Sequence, residues 1–118
     1  MGLQSVGFPN LFIMPGAGAG NFTRGCEPVV EWVSDCIDHM RQSEYVRIEA
    51  TPEAEAGWAE QIEKLSVDNI LTKTNSWFVG ANIPGKARTL LLYPDSAPNY
   101  RNHCAQVAAN GYEGFLLR

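Results

Sequence analysis

The stretch from Thr72 to Ala87 constrains this chain most. It carries Asn75, Gly80, Asn82, Pro84 and Gly85, and neither a helical nor a strand periodicity. Yet it holds Trp77 and Phe78. A long irregular segment with aromatic residues is a functional loop or one packed over something. It divides the chain into two stretches that do show periodicity.

Before the loop, Leu11 to Met14 is a short apolar run with the length of a buried strand. The glycine-rich turn Gly16-Ala17-Gly18-Ala19-Gly20 follows. A helix is expected from about Gly25–Pro28 to Arg41, because Val29, Val33, Cys36, Ile37 and Met40 recur at helical spacing, with Trp32 beside them. Pro28 suits only a first turn, which sets that start. Tyr45 to Ala50 alternates as a half-buried strand, with Val46, Ile48 and Ala50 on one face. Thr51-Pro52-Glu53 reads as cap, first helical position and first-turn acid. The helix that follows carries Ala54, Trp58, Ile62 and Leu65 and reaches as far as Ile70. After the loop come an apolar strand from Thr89 to Tyr93, a helix opened by Pro98, an Asn110-Gly111 cap, and a final strand at Phe115 to Leu117. This order fits an α/β sheet. At 118 residues there is room for one domain.

Composition narrows the function. The net charge is −4, which argues against binding a nucleic-acid backbone through a basic face. The apolar runs are too short to span a bilayer, and the first residues lack the basic and apolar regions of a signal peptide. Cys26, Cys36 and Cys104 form no C-x-x-C pair, so a reduced, cytoplasmic setting is expected, without a disulfide framework or metal site.

Few residues carry chemistry by spacing alone. Gly16, Gly18 and Gly20 fit G-x-G, but Asn21 stands where G-x-G-x-x-G needs glycine. The turn is either a plain connection or a helix N-terminus facing an electron-rich ligand group. His39 and His103 are isolated and read as packing or solvent residues. Glu53, Glu55, Glu60 and Glu63 fit a solvated helix face. Lys86 and Arg88 could meet a phosphate or ribose, or only solvent.

Four blocks, in order, say more. Gly7-Phe8-Pro9-Asn10-Leu11-Phe12, Val30 to Ile37, Ser76-Trp77-Phe78-Val79-Gly80-Ala81-Asn82-Ile83-Pro84-Gly85-Lys86, and Tyr100 to Phe115 resemble segments of the Baeyer–Villiger flavoprotein monooxygenases. That resemblance covers essentially the whole chain. It implies the C-terminal segment of a Rossmann-like FAD/NAD(P)-binding domain, an α/β fold that is α+β as an isolated piece. About three helices, short strands and the long irregular loop are expected, with residues 1–118 forming one partial domain. In that family FAD and NADPH work together to insert oxygen beside a ketone carbonyl, giving an ester or lactone.

By the same resemblance, residues 72–88 cover NADP. Trp77 would give its indole N–H to the ribose, with Ser76 and Lys86 in the same cofactor-binding motif. Gly16 and Gly18 would lie against the flavin, and Phe22 and Thr23 would line the substrate pocket. The chain departs from the family there: it reaches Val30 with several residues fewer after Thr23. The FAD-binding glycine motif and the NADP-binding motif belong to N-terminal parts of such enzymes. Those parts are the expected partner, with a ketone and O2 as co-substrates. No cofactor is expected to bind tightly to this piece alone, and no catalytic residue is assigned. Two other readings are a complementing subunit of a split monooxygenase and a small non-catalytic α+β interaction protein.

Overall fold

The computed structural model describes residues 1–14 and 22–118, and only the backbone of Phe22. Helix α1 spans Phe22–Gln42, strand β1 Ile48–Ala50, helix α2 Pro52–Ser66, helix α3 Ala97–Ala109 and strand β2 Phe115–Leu117. Two single 3₁₀ turns, Ile70–Lys73 and Trp77–Val79, lie between α2 and α3. The result is a small α+β unit of three helices and a two-stranded antiparallel sheet among the described residues.

Helix α2 starts as the sequence dictates. Thr51 Oγ1 accepts from the Ala54 N–H at 3.1 Å, and Pro52 takes the first helical position. The helix ends at Ser66, short of Ile70. Its buried face is Ile62 and Ser66, with Leu65 40% exposed. Helix α3 opens at Ser96, whose Oγ accepts from Asn99, and buries Tyr100 and Cys104. It closes at Asn110-Gly111, with Gly111 in the left-handed region.

Helix α1 begins earlier than expected, at Phe22, so Pro28 lies in its interior. One i→i−4 hydrogen bond is lost there, at a cost of about 3 kcal/mol. Burial of Val29, Trp32, Cys36 and Met40 on the same helix opposes that cost. Trp32 is part of the core stripe, whereas Ile37 is exposed. The Trp32 ring meets Tyr112 edge-on at 5.3 Å and Phe115 at 5.6 Å. Its Nε1–H donates to the Cys104 carbonyl at 3.0 Å, tying α1 to α3.

In the sheet, Ile48, Glu49 and Ala50 pair with Leu117, Leu116 and Phe115. The expected alternation fails at Val46, which is 80% exposed. Val46 and Arg47 both donate to the Arg118 carbonyl, a bulge that breaks the period of two before β1.

Two expected strands are absent. Leu11 to Met14 has no ladder; the Ile13 N–H donates to the Leu3 carbonyl, and Leu11, Ile13 and Met14 stay close to half exposed. Thr89 to Tyr93 buries Leu90 and Tyr93 but meets the Phe78 carbonyl of a loop instead of a strand. An apolar run becomes a strand only where a partner edge exists, and neither run has one among the described residues.

The segment ahead of α1 is held by Asn10. Its Oδ1 accepts from the Ile48 N–H at 2.9 Å, its Nδ2 donates to the Val46 carbonyl at 3.1 Å, and its own N–H donates to the Ile48 carbonyl at 2.9 Å. Its φ of 59° is one that Asn tolerates. Gly7, also at positive φ, donates its N–H to Glu49. Gly-Phe-Pro-Asn thus works here as a clip on β1.

Candidate functional site: the loop carrying Trp77

The long loop is folded upon itself. Ser76 caps the Trp77–Val79 turn: its Oγ accepts from the Phe78 N–H at 3.2 Å, and its carbonyl accepts from Val79 and Ala81 at 3.1 and 3.2 Å. Gly80 follows with φ 70° and donates its N–H to the Trp77 carbonyl at 2.9 Å. Glycine suits that position on two counts, the backbone being the stronger. The φ is left-handed, and a Cβ would sit 3.2 Å from Cδ of Lys86, whose aliphatic stem lies across this position. At the stem, the Leu91 N–H donates to the Phe78 carbonyl at 2.8 Å, and Arg88 Nη2 donates to Asn75 Oδ1 at 2.7 Å.

This backbone sorts the side chains. Val79 is buried and Phe78 packs half-buried against the core. Trp77 stacks on Phe78 at 4.0 Å yet stays 62% exposed. Trp32 spends its indole N–H on a carbonyl, whereas that of Trp77 has no partner among the described residues. Lys86 makes no ion pair among the described residues.

The sequence itself carries a charge signal for this loop. No acid occurs between Asp68 and Asp95, while Lys73, Lys86 and Arg88 do. A chain of net charge −4 thus concentrates positive charge on this loop. A cleft of about 520 Å³ lies between α2 and the loop, with Ile62, Val79 and Leu90 in its wall beside Arg88 and the acids Glu60 and Glu63; Trp77 and Lys86 are not among its lining residues. An exposed indole on a loop that carries Lys86 and Arg88 suits an anionic ligand with a sugar or aromatic surface.

Ser76, Trp77 and Lys86 therefore share one loop. Thr23 is on a different element, exposed in the first turn of α1. Gly16 and Gly18 lie outside the described residues, as does the Phe22 side chain.

A larger cleft of about 700 Å³ opens between the first residues, α2 and α3. It includes Glu53, Glu55 and Glu113, and no Lys or Arg side chain is among its lining residues. Gln4 in its wall is buried, and neither amide atom has a hydrogen-bond partner among the described residues. His103, also in that wall, stacks on Trp58 at 5.6 Å, and burial lowers its pKa. The His39 ring meets Tyr112 in a tilted arrangement, centroids 4.9 Å apart. Burial pushes the Cys36 thiol up to about 11 and raises that of Cys104, which leaves both as packing groups. Among the described residues no cluster of His, Cys, Asp and Glu could hold a metal ion, and no helix is long and apolar enough to cross a membrane.

No family model matches the chain. Individual proteins do. It is 38% identical to the acetone monooxygenase (methyl acetate-forming) of Gordonia sp. (strain TY-5), over 99% of this chain and 23% of that protein. The cyclohexanone monooxygenase from Rhodococcus sp. Phi1, solved bound to NADP+, superposes with a TM-score of 0.91 at 37% identity, over 99% of this chain and 22% of that one. OTEMO, solved in complex with FAD and NADP, gives a TM-score of 0.83 at 33% identity over 99% of this chain and 22% of that one. The chain thus spans less than a quarter of the length of these relatives. Sequence and structure together identify it as homologous to a segment of the Baeyer–Villiger monooxygenases, matching about 22% of their length.

Proposed function

We propose that this chain is the C-terminal part of an FAD- and NADPH-dependent monooxygenase that oxidises ketones to esters or lactones, and that it is inactive alone. The observation that carries this reading is Trp77: a 62% exposed ring, held outward by a hydrogen-bonded turn, with its donor free, on a loop without acids. An exposed Trp forgoes the burial that usually stabilises so large a side chain, which makes sense where another surface completes the contact.

The residues present fit a nicotinamide dinucleotide. Residues 72–88 would lie over it. The Trp77 N–H would donate to the ribose, the Ser76 hydroxyl retains a donor beyond its capping role, and Lys86 supplies charge toward the phosphates. When bound, the nucleotide supplies reducing equivalents and FAD the chemistry with O2. The chain's own part is to hold the nucleotide and exclude water. Gly16 and Gly18 are assigned to the flavin side and Phe22 and Thr23 to the ketone pocket on resemblance alone.

The partner in this reading is the remaining N-terminal FAD and NADP domains, in the cytoplasm, where free cysteines persist. Surface area supports it. A compact monomer of this mass exposes about 6,300 Å², whereas this chain exposes 7400 Å². Val46, Val67, Ile70 and Trp77 are each more than 60% exposed. The excess has the scale of one side of a protein interface.

The test is Trp77→Ala in the enzyme reassembled with those domains. The variant should bind NADPH more weakly and release more hydrogen peroxide per NADPH consumed, and Trp77→Phe should be milder. A folded Trp77→Ala enzyme with the parent ratio of peroxide to ester would refute the covering role.

A further inference from the structure

The loop's shape does not rest on its turn alone. Its two ends meet at two points: the backbone bond from Leu91 to Phe78, and the side-chain bond from Arg88 to Asn75 across 13 residues. The second is unusual in its chemistry. Exposed arginines ordinarily seek carboxylates, yet the 2.7 Å partner of Arg88 is a neutral amide. Glu60 and Glu63 of α2 line the same cleft as Arg88, yet none of the ion pairs among the described residues includes it. Asn75 immediately precedes Ser76, the cap of the Trp77 turn. A force on the Asn75 side chain therefore acts one residue away from the cap that sets the direction of the indole.

We propose that Arg88 is a positioning residue: its bond to Asn75 closes the base of the loop and so holds the Trp77 turn in its outward pose before any ligand arrives. The proposal deepens the reading of Trp77 as a nucleotide contact. Its test contains no nucleotide, so the two can fail separately.

Amide hydrogen exchange in the 118-residue chain reads the closure directly. The reporters are the N–H groups of Gly80 and Ala81, which bond to Trp77 and Ser76, and the control is the Thr51 N–H, which bonds to Gly114 in the sheet region. Arg88→Leu and Asn75→Leu should each speed exchange at Gly80 and Ala81 by about fivefold, the scale of one hydrogen bond. The double variant should go no further, because both remove the same bond. Asn75→Asp, which offers Arg88 a charged acceptor, should exchange no faster than the parent. Thr51 should be unchanged throughout. Unchanged rates at Gly80 and Ala81, additive effects in the double variant, or equal acceleration at Thr51 would each overturn the proposal. Loss of protection in Asn75→Asp would overturn it as well.

Discussion

Asn10→Ala should destabilise the chain by about 3 kcal/mol, worked from three contributions. The Ile48 N–H loses its acceptor at a residue with 0% exposure, and a stranded buried donor costs about 1–2 kcal/mol. The more exposed bond from Asn10 to Val46 adds about 0.5 kcal/mol. Alanine must then adopt the φ of 59°, at about 1 kcal/mol. Asn10→Gly separates these effects, because it loses both side-chain bonds but tolerates the dihedral. It should cost about 2 kcal/mol. The assay is urea unfolding followed by far-ultraviolet circular dichroism, with stability taken from the midpoint and slope. A small domain has only about 5–15 kcal/mol in total, so the midpoint shift will be large. A loss under about 1 kcal/mol for Asn10→Ala would refute the clip. A Gly variant less stable than the Ala variant would refute the backbone part of the argument.

Gly114→Ala should be among the most damaging single substitutions, because φ is 87° and the new Cβ would lie 2.9 Å from the Ala54 Cβ; thermal unfolding of the variant checks it. Under limited iodoacetamide at pH 8, Cys26 should be alkylated first, since it is partly exposed while Cys36 and Cys104 are buried with raised thiol pKa values; peptide mass mapping gives the order. His103 has a folded pKa below its unfolded 6.5, so the unfolded chain binds protons first as pH falls. Its contribution to stability is full above about pH 6.5 and is lost below it. Melting temperature should therefore drop on acidification below pH 6.5, and His103→Gln should flatten that slope.

The sequence made the helices legible because their signals are local. The Thr51–Pro52 start, the Pro98 start and the Asn110–Gly111 end are each set by residues within one turn, and the Ser96 cap emerged with the fold. Strands were less legible, because a strand depends on a distant edge. Phe115–Leu117 found β1, whereas Leu11 to Met14 and Thr89 to Tyr93 found no partner strand among the described residues. Helix α1 showed the opposite failure: the local signal of Pro28 was overridden by packing. In the candidate site, the irregular loop could be expected from turn formers beside aromatics, whereas the sorting of its aromatics into an exposed Trp77 and a half-buried Phe78 could not. The stem bond between Asn75 and Arg88, and the Lys86 stem over Gly80, required the fold.

The most direct test of the central claim is complementation. This chain should be co-expressed with the N-terminal four-fifths of a related Baeyer–Villiger monooxygenase, each half also being purified alone. The account predicts that only the pair yields a yellow complex that oxidises NADPH and converts a ketone to its ester or lactone. A pair that fails to associate, or an isolated chain that retains stoichiometric flavin and turns over ketone, would contradict it.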